Sequence, residues 1–442
     1  MLYRISLFVS LLIFILTEQL HAEPTTLERI PVAKVWSGHP VGFSLLTHDD
    51  LQFVAFYDAD RQMTVGVREL DSSDWTFKKL PEKVGWDSHN SITMKLDSKK
   101  HLHLSGNMHC VPIVYFRTAE PRDIQTFERV ESLVGENEDR ATYPKFITGP
   151  NSEFIFTYRD GSSGSGNQIY DVYDVETNQW KRLLDQPLTD GQGEMNAYLH
   201  GPVKGPDGVY HLCWVWRDTP DCETNHTLSY ARSSDLVHWE KSDGTPVNLP
   251  MTQENAEVVD PVPPGGGILN GNTKIGFDHE GRAVISYHKN DEEGNTQIYN
   301  ARLEDGGWKI YKTSDWDYHW DFQGRGSIIT EISLSSVRPG EEGRLLQSYG
   351  HKKYGGGVWV LDESDFSILE TRPNEPSQPS ELSQVQSETP GMRVNWSGDS
   401  GGSNEQGVRY NLRWETLERN RDRPREGEPP PPTWLEVIKV QD

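Results

Sequence analysis

Short apolar runs, each introduced by a turn rich in Asp, Gly, Pro or Asn, recur along this chain. Residues 51–57 read LQFVAFY, 96–106 LDSKKHLHLSG, 149–159 GPNSEFIFTYR and 205–216 GPDGVYHLCWVW. Two further copies are 277–288 (FDHEGRAVISYH) and 339–349 (PGEEGRLLQSY), and a seventh candidate is 391–396 (GMRVNW) followed by 408–414 (VRYNLRW). A second strand-like run follows within most copies: QIYDVY at 168–173, LSYAR at 228–232, QIYNAR at 297–302 and VWVL at 358–361. Period-two alternation dominates, and no long stretch shows the 3.6-residue period of a helix. The interval between copies is near the ~40–50 residues of a four-stranded blade, with room for insertions. One such blade cannot bury both faces, whereas blades stacked around an axis bury one another. The pattern therefore predicts an all-β, seven-bladed β-propeller; two β-sandwiches are the alternative with the same strand content.

Domain organisation follows from the breaks in this pattern. Arg4, the apolar run 5–16 and Leu20-His21-Ala22 read as a secretory signal peptide over residues 1–22, cut after Ala22. The apolar run is short for a ~20-residue membrane span. The expected mature protein is thus secreted or periplasmic, with no membrane attachment after cleavage. Residues 23–370 are expected to form the propeller. Residues 371–390 (TRPNEPSQPSELSQVQSETP) are a Pro/Ser/Glu-rich connector, and the rest of 371–442 is too short for a comfortable independent domain. It is read as strands that complete the last blade or close the ring. A closed ring predicts a monomer.

Composition changes the picture in two places. The chain carries 43 Lys+Arg against 67 Asp+Glu, a formal net charge of −24, which argues against general nucleic-acid binding. It does not exclude an anionic substrate, because a local basic cleft can outvote a distant surface. Three cysteines, Cys110, Cys213 and Cys222, are too few for a disulfide scaffold. Neither a phosphate-cradling GxxxxGK[ST] nor an HExxH motif is present.

Chemistry-bearing residues concentrate in the second and third repeats. Segment 87–118 contains His89 and His109, and segment 140–164 contains Tyr143, Tyr158 and Arg159. Phe154, Phe156 and Tyr158 share one strand face, which marks Tyr158 as core. The stretches HNSITMKLD, HLHLSGNMH, TYPKF, FTYRDG, GPDGVYHLCWVWRDTPDC, VVDPVPPGGG and NTQIYNARLEDGGW resemble the BNR-type repeat proteins that include the seven-bladed ulvan lyases. The likeness runs from about Lys34 to about Leu361.

This resemblance implies cleavage of an anionic, uronate-containing polysaccharide by β-elimination. It places the work on a Tyr and an Arg sixteen positions apart, with two His about twenty apart; Tyr143 and Arg159, and His89 and His109, have these spacings. Elimination removes the weakly acidic C5 proton, α to the uronate carboxylate, and expels the C4 oxygen. Arg159 would neutralise the carboxylate bidentately, with His89 or His109 adding a donor. Tyr143 would take the proton as phenolate and return it to the leaving oxygen, its pKa lowered by the neighbouring Arg and His.

A second constellation is His211-x-Cys213 followed by Cys222-x-x-x-His226. His211 and Cys213 point the same way in a strand, and the turn 217–221 could return Cys222 and His226 to that face. Two thiolates and two imidazoles suit a structural, tetrahedral Zn²⁺; a Cys213–Cys222 disulfide or two buried thiols are the alternatives. No organic cofactor is expected. Asn196, Tyr198, His288 and Arg325 are candidate sugar- or anion-binding residues, and 232–239 (RSSDLVHW) resembles a degraded Asp-box turn. Two other functions share the fold. A sialidase-like glycoside hydrolase needs a carboxylate pair, for which Asp87, Asp160, Asp218 and Glu194 are available. A glycan-binding propeller needs no catalytic group at all.

Overall fold

The computed structural model describes residues 23–442. The signal-peptide expectation for residues 1–22 lies outside the described residues. The described strands form six sheets, and dividing the largest at its one parallel bridge gives seven antiparallel groups of four or five strands, arranged as a β-propeller. The first blade pairs Ser44–His48, Leu51–Tyr57, Gln62–Glu69 and Thr76–Lys83 in chain order. The third and fourth blades touch through a single parallel bridge, Gly166 to Asn196, and with the short strand His109–Val111 added on Ala141–Thr148 they form one continuous nine-stranded sheet. Apart from three short 3₁₀ turns, the described residues contain no helix, and none is long and apolar enough to cross a membrane.

The recurring apolar runs are the second strands of the blades. Leu51–Tyr57, Leu102–Ser105, Phe154–Ser162, Tyr210–Arg217, Ala283–Asn290 and Arg344–His351 hold that position in blades one to six. QIYDVY, LSYAR, QIYNAR and VWVL fall in the third strands. The Asp residues of the turns cap the hairpins. Asp97 Oδ1 accepts from the backbone N–H of Lys99 and of His101, both at 2.9 Å. Asp278 Oδ1 does the same for Glu280 and Arg282, at 3.1 and 2.9 Å. Such Asx turns give the backbone a local partner where the ladder ends. The degraded Asp box is structural in the same way: Asp235 Oδ1 accepts from Val237 and His238 N–H, and the Trp239 indole is buried below it.

Burial lies between blades. Ile155 and Tyr170 of the third blade pack with Leu212, Trp214 and Trp216 of the fourth. Cys213, Val215 and Tyr230 of the fourth pack with Ile285 and Tyr287 of the fifth. Phe154, Phe156 and Tyr158 are all buried in the core, as their shared strand face requires. At ~25 cal/mol per Å² of apolar area, these aromatic-rich layers are the main favourable term holding neighbouring blades together.

The ring is closed by both ends of the described chain. Met392–Gly398, Val408–Leu417 and Thr433–Gln441 form three strands of the seventh blade, and Thr25–Val35 pairs antiparallel with Thr433–Gln441 as the fourth. The change expected at residue 371 falls inside Ile368–Arg372, the last strand of the sixth blade. Leu382 of the connector is buried against Ile438 and Val440.

Candidate active site

The local fold accounts for both sequence spacings. Thr93–Leu96 and Leu102–Ser105 form a hairpin in which Thr93 faces Ser105. His89 and His109 lie symmetrically beyond that pair, so the hairpin brings the two rings together at the same end of the blade. Their centroids are 4.5 Å apart. Ala141–Thr148 pairs with Phe154–Ser162, and Thr142 faces Arg159. The register then jumps to Lys145 opposite Thr157. The extra residue makes a bulge at Tyr143-Pro144, where Pro144 has no N–H to give the ladder. Tyr143 has φ +58°, a left-handed backbone conformation that is uncommon for a bulky residue. Bulges re-aim side chains near functional sites, and this one turns the Tyr143 ring into the cleft beside the histidines. Its centroid is 5.9 Å from His89, 6.2 Å from His109 and 6.4 Å from Tyr198.

Asp87 organises the pair. Its Oδ1 accepts from His89 Nδ1 at 2.7 Å, and its Oδ2 bonds His109 Nδ1. Where both Nδ1–H groups donate to that carboxylate, a ring that carries no second proton has its lone pair on Nε2. Burial alone would raise the Asp87 pKa. The hydrogen bonds and charges of His109 and His89 outweigh that and hold the carboxyl well below its usual range. Asp422 lies 3.5 Å from His89 Nδ1 and is itself depressed: burial raises it, but His89 and the Ser88 hydrogen bonds prevail.

These groups line a cavity of about 710 Å³. Arg217, Arg325, Arg419, Arg421 and Arg423 also line it, against the two aspartates Asp87 and Asp422. A cationic cleft therefore sits inside a chain of net charge −24. A larger cavity of about 910 Å³ lies between the fourth and fifth blades, bordered by Lys241, Asp243, Glu257, Glu280, Arg282 and Glu304. Its carboxylates outnumber its cations, and it has neither His nor Tyr, so it does not suit an anionic substrate.

The sequence-predicted residues divide sharply. His89, His109, Tyr143, Tyr198 and Arg325 share the cleft. Arg159 does not open into it. Its side chain is 2% exposed, with the guanidinium carbon 5.1 Å from the Tyr143 ring centroid and 6.0 Å from that of Tyr198. It lies behind the two tyrosines and donates to Thr142 Oγ1 at 3.1 Å. Strand alternation sends it to the inner side, behind the tyrosines, where Nε and Nη1 have no hydrogen-bond partner among the described residues, so it does not reach the open cleft surface where the bidentate carboxylate contact was expected. The expected lowering of the Tyr143 pKa is corrected too. Tyr143 keeps 38% of its surface open, all the same burial by the cleft walls and the Tyr198 phenol raise its pKa, and the opposing charges of Arg159 and Arg217 do not cancel that rise.

Asn196 and His288, expected to bind substrate, are buried and do not line the cleft. Asn196 starts the fourth blade at the bridge to Gly166. His288 packs against Trp320 at 5.2 Å with no hydrogen bond to either ring nitrogen, and burial lowers its pKa to about 4.

The four residues expected to hold zinc are not brought together. His211 Nδ1 meets the Tyr230 hydroxyl at 2.6 Å, whereas His226 Nε2 meets Asp218 Oδ1 at 2.9 Å. Cys213 is sealed between the fourth and fifth blades, its thiol pushed up to about 12 by burial. Cys222, in a 3₁₀ turn, borders the cleft. The cause is strand register: His226 faces Trp216, beyond Cys213 along the strand, and the turn carries Cys222 outward. All three thiols are free. Among the described residues, the one set with metal-like donor spacing is Asp87, His89 and His109, and their Nδ1 atoms are already engaged by the carboxylate.

Sequence reasoning missed two groups. Asp87 was weighed only as one member of a hydrolase carboxylate pair, although its D-x-H spacing to His89 was a usable signal. Residues 419–423 were passed over as part of the tail, although RNRDR is a basic cluster in an acidic chain.

The pattern of the BNR repeat-containing family matches residues 51–316. The chain belongs to that family. No curated protein sequence matches it. Among solved structures, the polysaccharide lyase Uly1 superposes with a TM-score of 0.59 at 14% identity, over 93% of this chain and 99% of that one. A structure described as a new family of polysaccharide lyase, a PL25 ulvan lyase, gives 0.55 at 12% identity, over 93% and 95%. The same enzyme bound to -[GlcA(1-4)Rha3S]- gives 0.54 at 11%. At these identities the likeness establishes a shared propeller fold.

Proposed function

We propose that this protein is a polysaccharide lyase that cleaves a uronate-containing, ulvan-like polymer by β-elimination. The observation that carries the reading is the Asp87-held histidine pair facing Tyr143 in an arginine-lined cleft. The folds it shares with polysaccharide lyases support the same reading.

Elimination at a uronate needs a base at C5, an acid at the leaving O4 and a cation for the carboxylate. A phenol is protonated at neutral pH, and we assign Tyr143, facing the histidine pair across the cleft, as the acid. One imidazole of the pair takes the C5 proton at Nε2, and Asp87 behind it stabilises the imidazolium. The C5 carbanion electrons form the C4–C5 double bond as the C4–O bond breaks. Tyr143 gives its proton to the departing oxygen, and Arg159 behind the ring steadies the phenolate. Solvent returns the proton from histidine to tyrosine. Arg217, on the cleft wall by Tyr198, and the second histidine supply positive charge to the uronate carboxylate as negative charge builds there.

A hydrolase reading is disfavoured by the cleft carboxylates. Asp87 is held by two histidines, and Asp422 accepts from Ser88 and Ser327, so neither is a free general base or nucleophile. The test is ultraviolet absorbance of mature protein mixed with ulvan and other polyuronates. A rise from the new double bond, lost in Tyr143→Phe, is expected. New reducing ends with no absorbance would replace elimination with hydrolysis, and binding without cleavage would leave a glycan-binding propeller.

A further inference from the structure

The loop at residues 419–423 belongs to the blade that closes the ring, yet it reaches the catalytic cleft. It joins Val408–Leu417 to Thr433–Gln441 and lies between two other loops. Asp422 pins it to both. Oδ1 accepts from Ser88 N–H at 3.1 Å and from Ser88 Oγ–H at 2.8 Å, and Oδ2 accepts from Ser327 N–H at 2.8 Å. Arg421 donates Nη1 to the Gln323 carbonyl at 2.8 Å. The fit is close at Gly326, which has φ +80° and where an added Cβ would come within 2.7 Å of the Arg421 carbonyl oxygen. A loop held this firmly presents its side chains in fixed positions.

Two of those side chains are cations without a partner. Arg419 and Arg423 are exposed and line the cleft, and neither guanidinium has a hydrogen bond or an ion pair among the described residues. Arg325 beside them has only a 3.3 Å contact to Asp221, with its side chain 65% exposed. Arg217, by contrast, is tied to the carbonyls of Thr219 and Pro220. A single uronate carboxylate at the histidines uses one cation. The remaining arginines cluster around the pinned loop, where Arg419 and Arg423 have no ion-pair partner among the described residues and Arg325 has only the exposed contact to Asp221.

We propose that Arg419 and Arg423, with Arg325, form a second anion subsite that grips an oxyanion on a sugar neighbouring the cleaved uronate. The ligand chemistry is a sulfate ester or a second carboxylate of the polymer, held by arginine forks. Asp422 fixes the loop and lies 3.5 Å from His89 Nδ1. The inference rests on the elimination reading for its substrate class but is tested by binding alone.

The experiment measures affinity for ulvan and for chemically desulfated ulvan by calorimetry, in a Tyr143→Phe background that leaves the polymer intact. Charge-assisted hydrogen bonds of about 1.5–3 kcal/mol correspond to about tenfold or more in Kd. Arg419→Gln with Arg423→Gln is expected to raise the Kd for ulvan at least about tenfold, with an unchanged melting temperature. A deficit that vanishes on the desulfated polymer assigns the subsite to sulfate, and one that persists assigns it to a neighbouring carboxylate. An unchanged Kd in the double variant, or no binding of either polymer by the parent, overturns the subsite. Arginine-dependent binding without double-bond formation by the wild-type chain would retain the subsite and remove the elimination reading.

Discussion

Replacing Asp87 with Asn is the most direct way to probe the catalytic arrangement, because the side chain keeps its shape and loses one charge. The carboxylate accepts from Nδ1 of both His89 and His109. An amide has one acceptor oxygen and one NH₂ group. It can accept from one ring, but it must donate to Nδ1 of the other, which moves that ring's proton to Nε2 and removes the lone pair facing the cleft. A hydrogen bond to a charged group contributes about 1.5–3 kcal/mol, so losing the charge behind the imidazole that acts as base costs about that much. At about 1.4 kcal/mol per decade this is a fall of about 10–10² in kcat, before the tautomer error is added. A comparable tautomer error in a Ser-His-Asp triad costs about 10⁴. The assay is the initial rate of absorbance rise on a uronate polymer, with circular dichroism to establish folding. A folded Asp87→Asn protein within about tenfold of wild-type kcat would refute the role given to Asp87. Stability gives an independent reading. A depressed carboxylate adds stability above its unfolded pKa of about 3.9 and loses it as pH falls from there toward the folded value. Wild type should be the more stable protein at pH 7, and the gap should narrow below about pH 4.

Tyr143, as an acid with a raised pKa, should stay protonated past the ordinary phenol value of about 10; kcat/KM should therefore show no tenfold rise per pH unit between about pH 8 and 10, and such a rise would restore the phenolate-base role. His288 is buried neutral with its pKa lowered to about 4, so the unfolded chain binds a proton first and stability falls as pH drops from about 6.5 toward 4. His288→Leu should flatten that part of the melting curve, by up to about 3 kcal/mol, and leave KM unchanged; a raised KM would return His288 to the substrate site. Chelation of the purified protein should leave the melting temperature unchanged, because His211, Cys213, Cys222 and His226 each have separate surroundings; a drop of several degrees, restored by zinc, would show that a metal does unite them.

Much of the fold was legible because a propeller is a local architecture. Each hairpin is specified by a turn residue with a stated partner, such as Asp97 or Asp278, and by two short alternating strands. The two spacings were legible for the same reason: a hairpin converts distance along the chain into proximity in space. His89 and His109 flank the Thr93–Ser105 pair, and Tyr143 and Arg159 are near-partners across another ladder. Tyr158 could be assigned to the core from strand alternation alone, and it is fully buried there.

What the sequence by itself determined was thus the repeat, the strand order and the residues that share one hairpin. Only the tertiary structure decided which of those residues face the cleft, and which residues from other blades join them. The bulge that turns Tyr143 outward while Arg159 stays beneath it depends on a register shift that pattern does not reveal. The zinc set failed because it needed four side chains from two strands and a turn to converge, and strand pairing placed His226 opposite Trp216. Asp87 and Arg421 to Arg423 are separated by more than three hundred residues, yet Asp422 joins their loops through Ser88. Ring closure makes that contact: the last blade becomes the neighbour of the first, and its loop reaches a cleft built mainly by earlier blades. Contacts of this kind depend on how sheets stack around an axis, which is a property of the whole packed ring and not of any segment within it.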